Sequence, residues 1–331
     1  MSDIRVVRLE TKPDALVPQR YMSFVGKKYI LILSDNSILQ FDNEGNFIRI
    51  LAKRGKGPGE FYGIFTFDVN EDESKVYIHH WGDAKRILGY HLETGTALPV
   101  ISLPNRDLST FILLEDHVLG VCGRSSNWEL FTISFEGELR DTLPNLNPKS
   151  YRSYAGRGKY LKRLDGEIYY MNELSDTLYR IDGVHKSAIS YFKVDNQYDF
   201  ETKLNGNLLQ ISNQLRNKII LTVMEMHTEQ TADGVSTEIK NKTRFLWEKK
   251  AEIVDNLSGF YHDYFEMEVE DFSISNRGEV IYIEYSPLEF RDLLSTAQKN
   301  KELSPKKAVR FKDLDATISE YDNPIYLISD W

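Results

Sequence analysis

The stretch Tyr29–Leu51, YILILSDNSILQFDNEGNFIRIL, decides the fold. Tyr29 to Leu33 is rich in β-forming residues, as are Ile38 to Phe41 and Phe47 to Leu51. Between them stand Ser34-Asp35-Asn36-Ser37 and Asp42-Asn43-Glu44-Gly45, side chains that set or tolerate turn geometry. The unit reads strand, turn, strand, turn, strand. It returns at 76–80, 87–91 and 97–101, again at 118–121, 130–134 and 139–143, and again at 168–171, 177–180 and 188–192. Ile219 and Val280 open two further copies. The marked strands begin at 29, 76, 118, 168, 219 and 280, with room for one more strand ahead of each. A β-sandwich also alternates its strands, but it has no reason to repeat this unit at near-constant spacing. The repeat predicts an all-β chain, a six-bladed β-propeller with four-stranded blades.

Closure supplies a second expectation. An open sheet edge invites aggregation, so a ring must join its last blade to its first. Ile4 to Leu9 is a β run with no blade of its own, and Ile325 to Ile328 is another without a partner. Pairing of this N-terminal strand with the C-terminal strands completes the sixth blade. Two insertions interrupt the rhythm. Leu204, Leu208, Leu209, Ile211 and Leu215 recur at roughly helical spacing, which predicts a short helix over about 200–216. Leu288, Leu293, Leu294 and Ala297, then Leu314, Ile318 and Tyr321, predict a helical insertion over 287–319, between the second and third strands of the last blade. The polar segment 225–242 reads as a long hairpin tip. No linker divides the chain, so residues 1–331 are expected to form a single domain.

Composition narrows the function classes. Forty-one Lys and Arg stand against fifty Asp and Glu, a net charge of −9, which repels phosphate backbones and argues against nucleic-acid partners. Hydrophobic residues at 41% supply a sizeable core. One cysteine, Cys122, excludes an internal disulfide and a multi-cysteine metal site. No apolar run approaches the roughly 18 residues of a transmembrane segment. The opening MSDIRVVRLE has no basic start and apolar stretch, so no signal segment is read there.

After the third strand of the first unit comes Arg54-Gly55-Lys56-Gly57-Pro58-Gly59-Glu60-Phe61. With the upstream ILQFDNEGNFIRIL this resembles the NHL-like six-bladed propellers, in which FD-x-x-G-x-F and a G-x-GPGEF loop lead into the next blade. Asp322-Asn323-Pro324-Ile325 and Arg8-Leu9-Glu10-Thr11 are similar to the end and start of one branch of that group. The resemblance covers nearly the whole chain, but later blades lack the loop, and the fourth has only Gly156-Arg157-Gly158. It implies an exported protein of the lipoprotein type, as in Gram-negative gut bacteria, without an assigned biochemical role. The expected location is therefore periplasmic or cell-surface, with envelope association through a removed N-terminal lipid anchor. Two Asp-Thr-Leu triplets, at 141–143 and 176–178, resemble O-glycosylation acceptors of such exported proteins and point the same way.

The loop's glycines and Pro58 account for a stiff crossing between blades, whatever else it does. A functional reading has Arg54 and Lys56 at the propeller mouth, meeting an anion, with Arg157 as the counterpart in the fourth blade. His79, His80, Trp81 and Asp83 close the second blade's inner hairpin. Adjacent strand residues point to opposite faces, so the two imidazoles cannot readily share a metal. Packing between blades is the default for this pair. A channel-facing histidine oriented by Asp83 is the alternative. The other histidines form no zinc signature, and nucleophile-elbow, phosphate-loop and calcium-loop patterns are absent. No metal and no cofactor are expected. Tyr62, Trp81, Trp128 and Tyr154 either cap the core or stack on sugar rings. These observations favour a non-catalytic ligand- or protein-binding scaffold that uses the loops around the central mouth. Its partner would be an unknown protein, or a glycan or peptide ligand. The alternative is a glycan- or peptide-directed lyase or hydrolase at the same mouth.

Overall fold

The computed structural model describes residues 4–80, 83–104, 107–123, 125–146, 148, 160–164, 166–172, 177–196, 205–215, 218–231, 234–248, 254–256, 260–269, 275–277, 280–299 and 303–330. Six four-stranded antiparallel sheets follow one another along the chain. The first comprises Tyr21–Val25, Tyr29–Ser34, Ser37–Asp42 and Phe47–Lys53, the unit that opened the reading plus the extra leading strand. The second comprises Ile64–Val69, Lys75–His80, Arg86–His91 and Ile101–Ser102. The third runs over Leu108–Leu113, His117–Cys122, Trp128–Ser134 and Leu139–Pro144. The fourth holds Tyr160–Leu164, Glu167–Met171, Thr177–Asp182 and His185–Tyr191. The fifth holds Gly206–Leu215, Lys218–Thr231, Gly234–Glu248 and Val254–Asn256.

The sixth sheet takes Ser275–Arg277, Val280–Tyr285 and Ile325–Asp330 from the end of the chain and Arg5–Arg8 from its start. Arg5 lies opposite Ile328 and Arg8 opposite Ile325. The two terminal motifs of the sequence meet here. Arg8 donates to Asp322 Oδ2 at 2.9 Å and to the Thr317 carbonyl at 2.9 Å. The buried Asn323 side chain accepts from Val17 N at 2.9 Å and donates to the carbonyls of Glu10 at 2.8 Å and Ala15 at 2.7 Å, while its own N–H meets Thr11 Oγ1 at 2.8 Å. One amide side chain therefore ties the crossover from the last sheet to the first.

Apolar side chains on both faces of each sheet explain why successive sheets stack. Val76 and Ile78 of the second sheet pack with Leu31, Leu33 and Phe61, whereas Tyr77 points the other way, onto Phe111 and Leu113 of the third. The third and fourth sheets share a cluster of Leu119, Val121, Ile168 and Tyr170, and the fourth and fifth one of Tyr169, Leu178, Leu209 and Leu221. Val280 and Tyr326 of the sixth sheet pack with Ile30 and Phe41 of the first. Polar ties cross as well: Glu73 accepts from the amides of Lys27 at 2.6 Å and Lys28 at 2.8 Å, and Gln40 Nε2 donates to Leu92 O at 2.7 Å. Four-stranded meanders stacked face to face in chain order are the architecture of a β-propeller.

The expected helix over 200–216 is corrected. Gly206–Leu215 is a strand paired with Lys218–Thr231, and residues 200–204 lie outside the described residues. Leu209 and Ile211 face the fourth sheet, while Leu208 turns to Met224 on the other side. A strand buried on both faces loses the period-two pattern, and a bulge between Ile211 and Asn213 shifts the phase again, so its leucines imitate helical spacing. The segment 225–242 is the expected long hairpin tip, and its ladder continues to Thr231 opposite Gly234. Helices do occupy the insertion before the last strand, α1 at Pro287–Gln298 and α2 at Pro305–Thr317. Ser286 and Glu289 form a capping box at α1, and Pro305 follows the Ser304 cap of α2. Phe290, Leu294, Ala297 and Phe311 pack on Tyr264 and Phe265, which lie between the short strands Phe260–His262 and Met267–Val269.

Antiparallel order places the start of each first strand, the turn from second to third strand and the exit of the fourth strand at one end of the sheet. The described segments that leave the sheets at that end include the crossing 54–63, the helices α1 and α2, and the far end of the ladder between Lys218–Thr231 and Gly234–Glu248. The opposite ends carry short turns such as 26–28, 43–46 and 135–138.

Candidate functional site

At the loop-bearing end, the crossing from the first sheet to the second builds a corner around the innermost strand, Ile64–Val69. The loop folds on itself. Gly57 N donates to Glu60 Oε2 at 2.7 Å, Gly55 N donates to Phe61 O at 2.9 Å, and Phe61 is fully buried. A Cβ on Gly55 would collide with the Glu60 carboxylate. Gly59 has φ +74, where a side chain is strained, and its carbonyl accepts from Tyr90 OH at 3.1 Å. Burial pushes the Tyr90 hydroxyl up to about 12, so it remains a donor. The G-x-GPGEF pattern is thus spent on the loop's own geometry.

The side chains that the loop leaves over are cationic and aromatic. The Arg54 guanidinium lies over the Tyr62 ring, 4.9 Å from its centroid. Tyr62 is 46% exposed and Phe65 39% exposed, although each begins or precedes an inner strand. Neither Arg54 nor Lys56 has a carboxylate partner among the described residues. Phe65 is the extra residue of a bulge between Ile64 and Thr66, which turns its ring outward and edge-on to His79, 5.9 Å between centroids. Sequence reasoning missed Phe65, because a single aromatic in a β run gives no sign that a bulge will expose it.

His79 and His80 are both buried. His79 shares its face with Tyr77 and is turned towards the third sheet. His80 shares its face with Ile78 and is turned towards the first. His79 Nε2 lies 3.1 Å from Ala84 O, and neither Nδ1 has a hydrogen-bond partner. Burial lowers both imidazoles below their ordinary range, which favours the neutral form. Asp83 is engaged elsewhere: one carboxylate oxygen accepts from Lys85 N and the other meets Arg86 Nε, each at 3.1 Å. Among the described residues Asp83 makes no hydrogen bond to either imidazole. Arg86, three residues on, meets its carboxylate, and the Asp83 charge acts on His80 against the lowering by burial. Trp81, Tyr154 and Arg157 lie outside the described residues. Trp128 caps the third sheet against Phe131, with centroids 6.3 Å apart. Cys122 is buried. Among the described residues no group of three His, Cys, Asp or Glu side chains is placed to hold a metal, and no helix is long and apolar enough to cross a membrane.

Several solved structures are similar to this chain to different degrees. A Bacteroides fragilis protein inferred to be exported superposes with a TM-score of 0.67 at 16% identity, over 99% of this chain and 95% of its own. The WD40 repeats of RRP9 match with a TM-score of 0.49 at 11% identity, over 99% of this chain and 100% of theirs. The β-propeller domain of Swd1 from Myceliophteria thermophila matches with a TM-score of 0.40 at 8% identity, over 80% of this chain and 96% of its own. No curated protein matches the chain in sequence. One family model does match, over residues 1–329, and the chain belongs to that family, DUF4934, described as a domain of unknown function.

Proposed function

We propose that residues 1–331 form one closed six-bladed propeller that works by recognition at the cell envelope. In this reading the protein binds a ligand or partner with the loop-bearing end of its sheets and catalyses no reaction. Closure is supported by the pairing of Arg5–Arg8 with the last strand and by the cluster that Val280 and Tyr326 share with Ile30 and Phe41. Location is supported by the exported character attributed to the Bacteroides fragilis protein of similar fold.

The observation that carries the binding reading is the cationic and aromatic corner. Arg54 stacked on exposed Tyr62, Lys56 without a carboxylate partner and Phe65 turned outward make a rigid platform. A platform held by an internally bonded loop loses little entropy on binding. Its chemistry suits a ligand with a flat face and a negative charge, such as an acidic glycan residue or a peptide carrying both carboxylate and apolar groups. Catalysis at His79 and His80 fits less well, because the imidazoles face opposite sheets and Asp83 is held by Arg86.

Isothermal titration with galacturonate oligosaccharides, their neutral counterparts and short acidic peptides tests this reading. Binding of at least one acidic ligand that Tyr62→Ala abolishes is the expected result. No heat with any ligand, or binding indifferent to Tyr62 and Arg54, removes the corner as a site. Cell fractionation with an antibody to the chain tests location, and a wholly cytosolic protein would remove the envelope part of the proposal.

A further inference from the structure

The molecule's charge is unevenly placed. Residues 299–312 contain six Lys or Arg and one Glu, so this short segment carries +5 in a chain of −9, and the other 317 residues carry −14. The segment is the end of the helical insertion, whose inner face is fixed by Phe290, Leu294, Ala297 and Phe311. Lys307 is turned inward, where it meets Glu266 at 2.7 Å and the Asp263 carbonyl at 3.0 Å. The other described cations of the segment are exposed. Lys306, Val309, Arg310 and Asp313 follow one another at i, i+3, i+4 and i+7 along the exposed face of α2, with exposed Lys312 beside them and exposed Lys299 at the end of α1. Among the described residues, none of Lys299, Lys306 and Lys312 has a carboxylate partner, and Arg310 only overhangs the Tyr264 ring at 5.8 Å. Val309 is 61% exposed in the middle of this row, and Tyr321, just beyond the helix, is 80% exposed.

We infer that the outer face of α2 is a docking surface for an acidic polypeptide segment of a partner protein, one that also carries an apolar side chain to cover Val309. Charge complementarity selects the sign of the partner: three cations without carboxylate partners on one small face, with Lys299 at the end of α1, meet carboxylates more favourably than they meet the rest of this protein's own kind of surface. The pattern selects a polypeptide over an anionic bilayer. Asp313 interrupts the cationic row, and Val309 is the only apolar residue in it, so the face has a specific sequence of charges and no apolar stripe to insert into lipid. The helix is also packed on a body of −14, which an anionic bilayer repels. Arginine is among the side chains that concentrate binding energy at interfaces, and Arg310 adjoins the exposed Val309. This surface is separate from the Arg54 corner and does not depend on it.

Fluorescence anisotropy tests the inference with three probes. One is a labelled 15-residue peptide of Glu, Asp and Ser with two central Leu residues. The second is the same peptide with both Leu replaced by Ser, and the third is phosphatidylglycerol vesicles. The leucine-containing peptide should bind the intact chain, weaken at least tenfold in the Lys306→Glu/Arg310→Glu variant, and weaken as salt is raised. It should bind several-fold more tightly than its serine version, and more tightly than that version by a smaller margin once Val309→Ser is introduced. A charge-matched Lys193→Glu/Lys242→Glu variant, altered at exposed positions away from the insertion, should retain the affinity. The inference is overturned if the peptide does not bind at low salt, if both double variants lose affinity equally, or if vesicles bind through α2 while the peptide does not.

Discussion

Two regions single themselves out in the sequence, and the structure treats their polar groups in opposite ways. At the seam between the last sheet and the first, every polar atom of the Asn323 side chain is used, and Arg8 spans Thr317 and Asp322. At the corner between the first and second sheets, the loop satisfies its own backbone and leaves over two cations without carboxylates among the described residues and two outward rings. Both regions sit at crossings between sheets and both are rich in turn residues. The difference is one of saturation. A saturated buried network holds a fold together, because each lost partner strands another polar group. An unsaturated cluster at the surface contributes little to the fold and has bonds to offer something else.

The seam should show the largest cost. Asn323→Ala leaves Val17 N and the carbonyls of Glu10 and Ala15 without partners, and should destabilise the protein by about 4 kcal/mol. Thermal denaturation should register this as a fall of roughly 6 °C in Tm. A change of less than about 1 kcal/mol would mean that the Asn323 network is not what holds the last sheet to the first.

Protonation offers a second contrast, inside the structural class. His262 packs on Phe265 with centroids 4.7 Å apart, and burial lowers its imidazole to about 4. A lowered imidazole favours the folded state fully above the unfolded value near 6.5, and that contribution is lost as pH falls towards 4. Stability should therefore drop between pH 6.5 and 4 by an amount on the order of 3 kcal/mol from His262, with His79 and His80 adding in the same direction. Urea denaturation across that range should become flatter in His262→Phe. An unchanged slope would place the titration elsewhere.

The loop comes next. Gly59→Ala forces a side chain into φ +74 and should cost about 1 kcal/mol, measurable as a lower urea midpoint. Arg54→Ala should be nearly neutral for stability, within about 0.5 kcal/mol, because among the described residues the guanidinium's contact is with the Tyr62 ring. A large loss of stability in Arg54→Ala would erase the distinction between corner and seam.

Much of this organisation could be read before any coordinates. The turn residues at 34–37 and 42–45 and the strand runs around them stand as read, and so do the extra strand ahead of each unit and the partnership of the two termini. Turn chemistry is local, so sequence displays it directly. The leucines at 208–211 misled because sandwiching between two sheets buries both faces of a strand, a tertiary fact with no local mark. The terminal motifs were visible, but their joint role depends on a contact across more than 300 residues. At the corner, Arg54, Lys56 and Tyr62 were legible from residue type, whereas the exposure of Phe65 depends on a bulge and the engagement of Asp83 on Arg86.

The central claim is that the unsaturated corner is the binding site and the saturated seam is not. The most direct measurement is a thermal-shift titration of the intact chain, Arg54→Ala and Arg8→Ala with acidic and neutral glycans and peptides. The account predicts an acidic ligand whose stabilisation of the intact chain grows with the logarithm of its concentration. Arg8→Ala should start from a lower Tm yet keep that ligand-dependent rise, and Arg54→Ala should keep its Tm and lose the rise. A rise that survives in Arg54→Ala, or no rise with any ligand, would contradict the account.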